Sequence, residues 1–146
     1  MKKVKHILKQ KGHALWYVRP DDTVYNAIKL MDDKGVGALA VVVGDSLIGI
    51  ISERDYARKV ILKNRSSKET KVKEIMTRQV IYTFPDQDIE ECLSIMTRSH
   101  IRHLPVIHNG EIEGMVSMGD VVKEIISEQR YTIVQLEQTI IWEETY

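Results

Sequence analysis

The chain has 146 residues, with 21 basic and 21 acidic side chains and a formal net charge of zero. This length allows a hydrophobic core without a disulfide or a structural metal, and the charge balance excludes a general attraction to nucleic acid or to an anionic membrane. Cys92 is the only cysteine, so an internal disulfide is excluded and a cytoplasmic location is expected. The longest apolar run, at 38–43, is too short to span a bilayer. No long apolar segment follows the basic N-terminus, so we expect no signal peptide.

Apolar periodicity and turn residues predict the elements of the first half of the chain. The predicted order is a short helix at 4–8, a strand at 16–18, a helix at 24–31, a hairpin of strands at 39–43 and 47–51, and a helix at 54–62. Thr23 is the predicted N-cap of the second helix. Tyr56, Val60 and Ile61 are the predicted core contacts of the third helix.

The second half opens with a polar segment at 63–71 that has no periodicity and is predicted to be a linker. The elements predicted after it are a short helix at 72–76, a strand at 80–83, a helix at 89–96, strands at 104–107 and 112–117 around an Asn109-Gly110 turn, and a helix from about Asp120. This last helix either continues or breaks near Glu128. A final amphipathic segment carries Ile133, Leu136 and Ile140, and it either packs back on its own module or serves as a dimer clamp or a docking helix.

The two halves of the chain are copies of one unit. A constant offset of 65 residues aligns Pro20 with Pro85 and continues without a gap to Asp55 and Asp120. An alignment of this length is not expected by chance and indicates an internal repeat. Each copy is predicted to contain a strand, a helix, two strands and a helix. One copy has too small a sheet to bury its helices, so we expect the copies to pack sheet to sheet about a pseudo-twofold axis.

Each copy contains a Gly-x-x-Ser-x-x-Asp motif where a predicted strand meets a predicted helix, at 49–55 and at 114–120. A structural interpretation is helix capping, with Ser52 or Ser117 as the cap and Asp55 or Asp120 in the first turn. A functional interpretation uses the same geometry, because free amides at a helix start bind anions and the Asp can accept two hydrogen bonds from a ribose diol. Capping is favoured for a single motif, and the duplication strengthens the functional interpretation.

The two copies resemble a tandem pair of CBS domains, the regulatory modules named after cystathionine β-synthase. The resemblance covers Val4 to about Ser127 and looks most like small bacterial and archaeal proteins that consist of one such pair, or Bateman module. The matching residues are Pro20-Asp21-Asp22-Thr23-Val24 and Pro85-Asp86-Gln87-Asp88-Ile89, Gly37-Ala38-Leu39-Ala40-Val41-Val42 and Arg102-His103-Leu104-Pro105-Val106-Ile107, and the two Gly-x-x-Ser-x-x-Asp motifs.

The resemblance implies an α/β (α+β) fold of two β-α-β-β-α repeats packed sheet to sheet with pseudo-twofold symmetry. Repeat 1 is expected at 1–66, repeat 2 at 67–128 and a C-terminal helical extension at 129–146. The implied function is that of a non-enzymatic regulatory or energy-sensing module. It would bind AMP, ADP, ATP, NAD or S-adenosylmethionine in clefts between the repeats, without a metal. Such modules pair into flat homodimers, and a regulated protein that the sequence does not identify would be the further partner.

Carrying the family roles over to this chain gives a first nucleotide site, at the motif of repeat 1. Ser52 would contact phosphate and Asp55 ribose, while the cations Arg54 and Arg58 flank the motif. The second repeat would complete this site with Thr77, Val80, Ile101 and Arg102.

A second nucleotide site is implied at the motif of repeat 2. Ser117 and Asp120 would take the same two roles, and Arg102 and His103 would face phosphate. The remaining residues expected at this site are Lys11, Gly12, Trp16, Val36, Gly37, Met118 and Gly119. The Trp16 ring can stack on a base, but a core or interface position suits it as well.

Other groups of residues point to neither a metal site nor catalysis. His100, His103 and His108 lie close in sequence, but no cysteine or clear carboxylate partner accompanies them, so we expect no metal. Cys92 falls in a helical apolar pattern that indicates a small buried side chain. We find no nucleophile–base arrangement and no phosphate-binding glycine loop, and therefore expect no enzyme. The competing interpretation is a structural interaction or dimerisation module whose motifs are only helix caps.

Overall fold

The computed structural model describes residues 2–12 and 14–145, with side chains as far as residue 138. The helices in this part of the chain are α1 (Val4–Lys11), α2 (Val24–Lys34), α3 (Glu53–Tyr56), α4 (Val72–Ile75), α5 (Ile89–Ser99) and α6 (Met118–Thr145). The strands are β1 (Tyr17–Val18), β2 (Ala38–Val43), β3 (Ser46–Ser52), β4 (His103–His108) and β5 (Glu111–Ser117). The mixed α/β architecture predicted from the sequence is confirmed.

The chain forms two compact units that are each discontinuous in sequence. The first unit comprises Ala14–Tyr82 and Ile107–Gly114. The second unit comprises Met1–His13, Thr83–Val106 and Met115–Tyr146. Each unit has its own cluster of buried apolar side chains.

The first unit is built on a three-stranded sheet in the order β1-β2-β3. Strand β1 pairs parallel to β2, and β2 pairs antiparallel to β3, with Ala38 opposite Ser52. Strand β2 is buried from Ala38 to Val42, as its continuous apolar sequence predicts. Helix α2 begins at Thr23, whose hydroxyl accepts a hydrogen bond from the Asn26 amide at 3.1 Å, and ends at Gly35 in the left-handed conformation.

The helix predicted at 54–62 departs from a regular α-helix. After the single turn of α3, residues Ala57–Ile61 form a π-helix, and the Leu62 amide donates to the Ala57 carbonyl at 3.1 Å. A π-turn contains more residues than an α-turn, so the residues that follow it are displaced around the helix axis. Val60 lies in the core as predicted, but Ile61 is 57 % exposed, so its predicted core position was wrong.

The second unit contains α1, α5 and α6 together with parts of the β4–β5 hairpin. The predicted Asn109-Gly110 turn joins the two strands, with both residues at positive φ as a tight hairpin turn requires. The core of this unit is lined by one face of each helix and by the strands: Val4, Ile7, Leu8, Ile89, Cys92, Met96, Leu104, Val106, Val116 and Val121.

The strand predicted at 80–83 is wrong. In its place Thr83 forms a single parallel bridge with Val106, and its amide donates to the Pro105 carbonyl at 2.9 Å. Pro105 corresponds to Ala40 of the first copy, and Ala40 pairs with Tyr17 of β1. Pro105 has no N–H to donate to a neighbouring strand, so the second copy cannot complete the same ladder.

Each sequence copy begins with a helix, its leading helix, that packs in the compact unit formed mostly by the other copy. Helix α1 begins the first copy, yet its apolar side chains lie in the core of the second unit. Helix α4 begins the second copy, yet Val72 and Ile75 lie in the core of the first unit. The segment at 63–71 has no regular structure, but the carbonyls of Ser67 and Thr70 accept hydrogen bonds from the first amides of α2. The predicted linker is therefore anchored to the first unit.

Helix α6 continues past Glu128 without a break, which decides between the two possibilities that the sequence left open. Val121 and Glu124 near its start are buried, and Glu124 pairs with Lys2 at 3.2 Å. Every residue from Gln129 to Gln138 is exposed. The side chain of Ile140 lies outside the described residues. Among the described helices, α6 included, none has the length and apolar content that crossing a bilayer demands.

Candidate functional site

The first Ser-x-x-Asp motif lies where β3 ends and α3 begins. Ser52 is the N-cap, and its hydroxyl accepts a hydrogen bond from the Asp55 amide at 3.2 Å. In return, Asp55 Oδ2 accepts hydrogen bonds from the Ser52 amide at 3.0 Å and from the Ser52 hydroxyl at 3.1 Å. This reciprocal pair is a capping box, and it fixes the carboxylate at the start of the helix.

The other oxygen of Asp55 faces two further donors. Lys59 Nζ lies 3.0 Å from Oδ1, and the Thr77 hydroxyl donates to Oδ1 at 3.3 Å. Lys59 also donates to the Ile75 carbonyl at 2.8 Å, so its side chain joins the π-helix to α4. Asp55 itself is only 8 % exposed. The first motif is therefore a nearly enclosed carboxylate surrounded by hydrogen-bond donors.

The second Ser-x-x-Asp motif repeats this geometry at the end of β5. The Ser117 hydroxyl accepts from the Asp120 amide at 3.1 Å, and Asp120 Oδ2 accepts from the Ser117 amide at 2.9 Å. The cation here is Lys11 from the end of α1, whose Nζ lies 2.6 Å from Asp120 Oδ2. Lys11 also donates to the Met115 carbonyl at 2.9 Å. The Asp120 side chain is 26 % exposed, more open than its counterpart in the first motif.

The electrostatics of the second motif shift two pKa values. Partial burial works to raise the pKa of Asp120, but the hydrogen bonds from Lys11 and Ser117 outweigh it and hold the pKa below its usual value. Burial lowers the pKa of the half-buried His103, and the positive charges of Lys11 and Arg102 act in the same direction against the opposing charge of Asp120. The motif thus favours an ionised carboxylate next to a neutral imidazole at neutral pH.

The sequence family follows from a comparison with known protein families. The model of the CBS domain matches residues 4–62 and again residues 72–127. These two matches cover most of the chain and coincide with the two copies of the internal repeat.

The chain belongs to the CBS domain family. A relative from Arabidopsis thaliana, the CBS domain-containing protein CBSX3, mitochondrial, is 43 % identical over 143 residues, which cover 91 % of this chain and 69 % of that protein. A solved structure of a protein with CBS domains from Burkholderia ambifaria MC40-6 is 50 % identical, with a TM-score of 0.84 and coverage of 88 % of this chain and 96 % of that chain. The resemblance inferred from the sequence is confirmed.

The CBS domain pair of protein MJ0100 has the same fold at lower identity. It is 24 % identical, with a TM-score of 0.78, and the likeness covers 88 % of this chain and 98 % of that chain. That protein was crystallised in complex with 5′-methylthioadenosine and S-adenosyl-L-methionine.

The structure brings together some of the residues predicted for the first nucleotide site. Ser52, Asp55 and Thr77 are joined by the hydrogen bonds described above. Arg54 and Arg58 lie exposed on α3 and on the π-helix that follows it, and Val80 is half-buried in the same unit. Ile101 and Arg102 belong to the second unit, so their contribution to this site remains a prediction.

The residues predicted for the second nucleotide site are divided between the two units. Lys11, His103, Ser117 and Asp120 interact within the second unit. The same unit contains Gly12, which ends α1 at a φ of 92°, together with Met118 and Gly119, the first two residues of α6.

Trp16, Val36 and Gly37 belong to the first unit, so their contribution to the second site remains a prediction. Lys34 Nζ lies 4.3 Å from the centroid of the Trp16 ring, which is a cation–π distance. The Trp16 ring therefore already has a partner on one face.

Backbone contacts show which segments lie beside each motif in its own unit. The Glu53 amide donates to the Gly37 carbonyl at 3.1 Å, and the equivalent Met118 amide donates to the Arg102 carbonyl at 2.8 Å. The segment that precedes β2 or β4 therefore borders the motif of its own copy. The two hydrogen bonds join residues that the 65-residue offset makes equivalent.

Lys59 is the residue at the first motif that the sequence analysis missed. The available signal was its spacing, because a lysine four residues after an aspartate on a helix lies on the same face as the carboxylate. Its contact with the Ile75 carbonyl had no such signal, since it depends on how α4 packs in the first unit.

The three histidines that lie close in sequence belong to no metal-binding group among the described residues. No group of three or more His, Cys, Asp or Glu side chains is close enough to hold a metal ion in that part of the chain. His100 ends α5 in the left-handed conformation, whereas His103 begins β4 and His108 ends it.

Proposed function

We propose that this chain is a non-enzymatic regulatory module that binds adenosine-containing ligands at its two Ser-x-x-Asp motifs. The observation that carries the proposal is the equivalent placement of Asp55 and Asp120, each hydrogen-bonded to a serine amide at the start of a helix. A fixed carboxylate suits the two hydroxyls of a ribose, because it accepts hydrogen bonds at both oxygens. Amide groups at a helix start and nearby cations suit a phosphate.

The complex of the related MJ0100 domain pair supports this class of ligand. Its two ligands, 5′-methylthioadenosine and S-adenosyl-L-methionine, share an adenosine moiety. AMP, ADP, ATP and NAD contain the same moiety, so these compounds are the candidates for this chain. Arg54 and Arg58 near the first motif, and Lys11 and His103 near the second, supply cations or hydrogen-bond donors for phosphate groups.

Calorimetric titration with adenosine, AMP, ADP, ATP, NAD and S-adenosylmethionine tests the proposal. Asp55→Ala and Asp120→Ala are each expected to weaken binding at their own motif, and the Asn variants, which keep the side-chain shape, serve where an Ala variant does not fold. Asp45→Ala in the exposed β2–β3 turn is the matched control and is expected to bind as the wild type does. Unchanged affinity for all six compounds in both sets of variants would contradict the proposal.

Ligand binding is also expected to stabilise the fold. A ligand present at a hundredfold its dissociation constant adds about 2.7 kcal/mol to the free energy of unfolding when it binds only the folded state. The melting temperature measured with and without each compound therefore gives an independent ranking of the candidates. A conversion assay on the bound compound is expected to recover it unaltered, since the module is proposed to be non-enzymatic.

The second candidate function is a protein interaction or dimerisation module. The observation in its favour is the exposed apolar surface of α6, where Tyr131, Ile133 and Leu136 are 53–68 % exposed. We propose that the chain forms a homodimer, as the family resemblance implies, and that a ligand acts by favouring one dimer shape over another. Light scattering on the wild type and on Leu136→Asp tests whether α6 takes part in the dimer interface. A charged side chain at a buried interface disfavours association, so the measured molecular mass is expected to fall in the variant.

A further inference from the structure

Lys11 connects the end of α1 to the second motif. It is the last residue of α1, and its ammonium group donates to Asp120 Oδ2 at 2.6 Å and to the Met115 carbonyl at 2.9 Å. Lys11 and Asp120 are 109 residues apart in sequence. The contact therefore ties the first helix of the chain to the first turn of α6, at the carboxylate proposed to receive the ribose.

A ribose hydroxyl that approaches this carboxylate oxygen meets two donors already in place. Asp120 Oδ2 accepts hydrogen bonds from the Ser117 amide and from Lys11. The Ser117 amide is held by the backbone at the end of β5, whereas the Lys11 ammonium stands at the end of a flexible side chain that is 39 % exposed. The donor that can leave at low cost is therefore Lys11.

We propose that Lys11 competes with the ligand for the Asp120 carboxylate, so that occupation of the second motif releases the C-terminal end of α1. This inference rests on the proposed function, because the competing ligand is the adenosine-containing compound proposed above. The release is confined to the last turn of α1, because Val4, Ile7 and Leu8 remain buried in the core of the second unit.

The first motif has a matching cation with a different consequence. Lys59 contacts Asp55 from four residues further along the same stretch of helix. Displacement of Lys59 would leave α1 untouched, whereas displacement of Lys11 removes a contact between distant parts of the chain. Release of Lys59 would act on its contact with the Ile75 carbonyl at the end of α4, whereas release of Lys11 acts on the end of α1.

Lys11 lies near the point in the sequence where the second unit gives way to the first. The second unit includes the chain as far as His13, and the first unit begins at Ala14. The end of α1 is therefore the last helical part of the chain before it enters the other unit.

Adenosine is the appropriate probe, because it carries the ribose but lacks a phosphate that Lys11 can also contact. In Lys11→Met the apolar stem is kept and the competing ammonium is removed. The dissociation constant of the Lys11→Met variant for adenosine at the second motif is expected to fall roughly two- to fivefold. This range corresponds to the loss of a partly exposed ion pair. Lys9→Met, at an exposed position of the same helix, is the matched control and is expected to bind as the wild type does.

Hydrogen exchange at the end of α1 measures the release directly. The Gly12 amide donates to the Leu8 carbonyl at 2.8 Å and reports the last turn of the helix. Adenosine is expected to accelerate exchange of the Lys11 and Gly12 amides in the wild type and in Lys9→Met. In Lys11→Met this exchange is expected to be fast with or without adenosine. Lys11→Gln provides a second variant with the same expected behaviour.

The outcomes separate this inference from the proposed function. One outcome is that the wild type binds adenosine, Asp120→Ala does not, and both Lys11 variants bind adenosine as the wild type does or more weakly. This outcome would overturn the role of Lys11 and leave the proposed function standing. Adenosine binding without a change in exchange at the end of α1 would overturn the release. Failure of the wild type and of both Lys11 variants to bind any of the six compounds would overturn the proposed function and this inference with it.

Discussion

Ile50 and Thr77 exchange two backbone hydrogen bonds, from the Ile50 amide to the Thr77 carbonyl at 3.0 Å and from the Thr77 amide to the Ile50 carbonyl at 2.8 Å. This pairing fixes the chain after α4 along the free edge of β3. It also brings the Thr77 hydroxyl within reach of Asp55, in the helical turn that follows β3. The first motif thus depends on a backbone contact that its own sequence does not contain.

The same contact explains the glycine at the start of the first motif. A Cβ atom at Gly49 would lie 2.9 Å from the Met76 Sδ atom and 2.9 Å from the Thr77 carbonyl oxygen. Gly49→Ala is therefore expected to lower the free energy of unfolding by about 1–3 kcal/mol, since the paired backbone must move to make room. Urea unfolding followed by circular dichroism measures the change.

Gly119→Ala is the matched control for this substitution. The nearest atom to a Cβ at Gly119 is the Ser117 hydroxyl oxygen at 3.7 Å, an ordinary contact distance. Because alanine is the better helix former, this variant is expected to be equally stable or more stable by up to about 1 kcal/mol. Equal destabilisation of the two variants would refute the steric explanation for Gly49.

Removal of the two motif lysines is expected to affect stability unequally. Lys59→Met leaves the Asp55 carboxylate, whose side chain is 11 % exposed, with one donor fewer in a nearly enclosed position. We expect a loss of about 1–3 kcal/mol in the free energy of unfolding, the cost of an under-satisfied buried polar group. Lys11→Met breaks a more exposed pair and is expected to cost less than about 1 kcal/mol. A larger loss in Lys11→Met than in Lys59→Met would contradict this order.

The pH dependence of stability is expected to report His103. Its pKa is lower in the folded protein than in the unfolded chain, chiefly because of burial and the charge of Lys11. As the pH falls through the ordinary histidine range, the unfolded state therefore takes up a proton before the folded state does. The free energy of unfolding decreases as a result, so this contribution is present at high pH and is lost on acidification.

The measurement is a series of urea unfolding curves between about pH 8 and pH 5, the interval in which imidazole titrates and most carboxylates do not. His103→Gln is expected to show a shallower decrease of stability over this interval than the wild type. His108→Gln is the control, because His108 is exposed at the end of β4. A slope in His103→Gln equal to that of the wild type would assign the pH dependence to other groups.

Cys92 is expected to be unreactive in the folded protein. Its side chain is fully buried in α5, and burial raises the pKa of the thiol although a contact with Thr83 works against that shift. Since the thiolate is the reactive form, a disulfide reagent is expected to label the native protein far more slowly than the protein in urea. Labelling at the same rate in both conditions would show that α5 opens readily.

Most of the fold could be predicted from local sequence signals. The Thr23 cap, the Gly35 and Gly12 helix ends and the Asn109-Gly110 turn depend on residues within a few positions of each element. The serine and aspartate of each motif were predictable for the same reason, and their duplication made the interpretation stronger. Their mutual hydrogen bonds agree with the capping geometry expected from the spacing.

Features that depend on distant contacts were not predictable from one sequence. The strand expected at 80–83 is reduced to one bridge, because Pro105 on β4 cannot donate a hydrogen bond to it. Ile61 is exposed, because a π-helix shifts the helical face. The Lys11–Asp120 pair requires α1 to join the second unit, and no periodicity within α1 indicates which copy it will pack against.

The exchanged leading helices constrain how the chain can fold during synthesis. Helix α1 is synthesised before the elements it packs against, with Val4, Ile7 and Leu8 to bury, but the core that receives them includes Val116 of β5 and Val121 of α6. Since synthesis proceeds at about 5–20 residues per second, these apolar side chains stay without their final partners for several seconds or longer. The first unit also waits for α4, so neither sequence copy can finish folding before the other copy has begun to emerge.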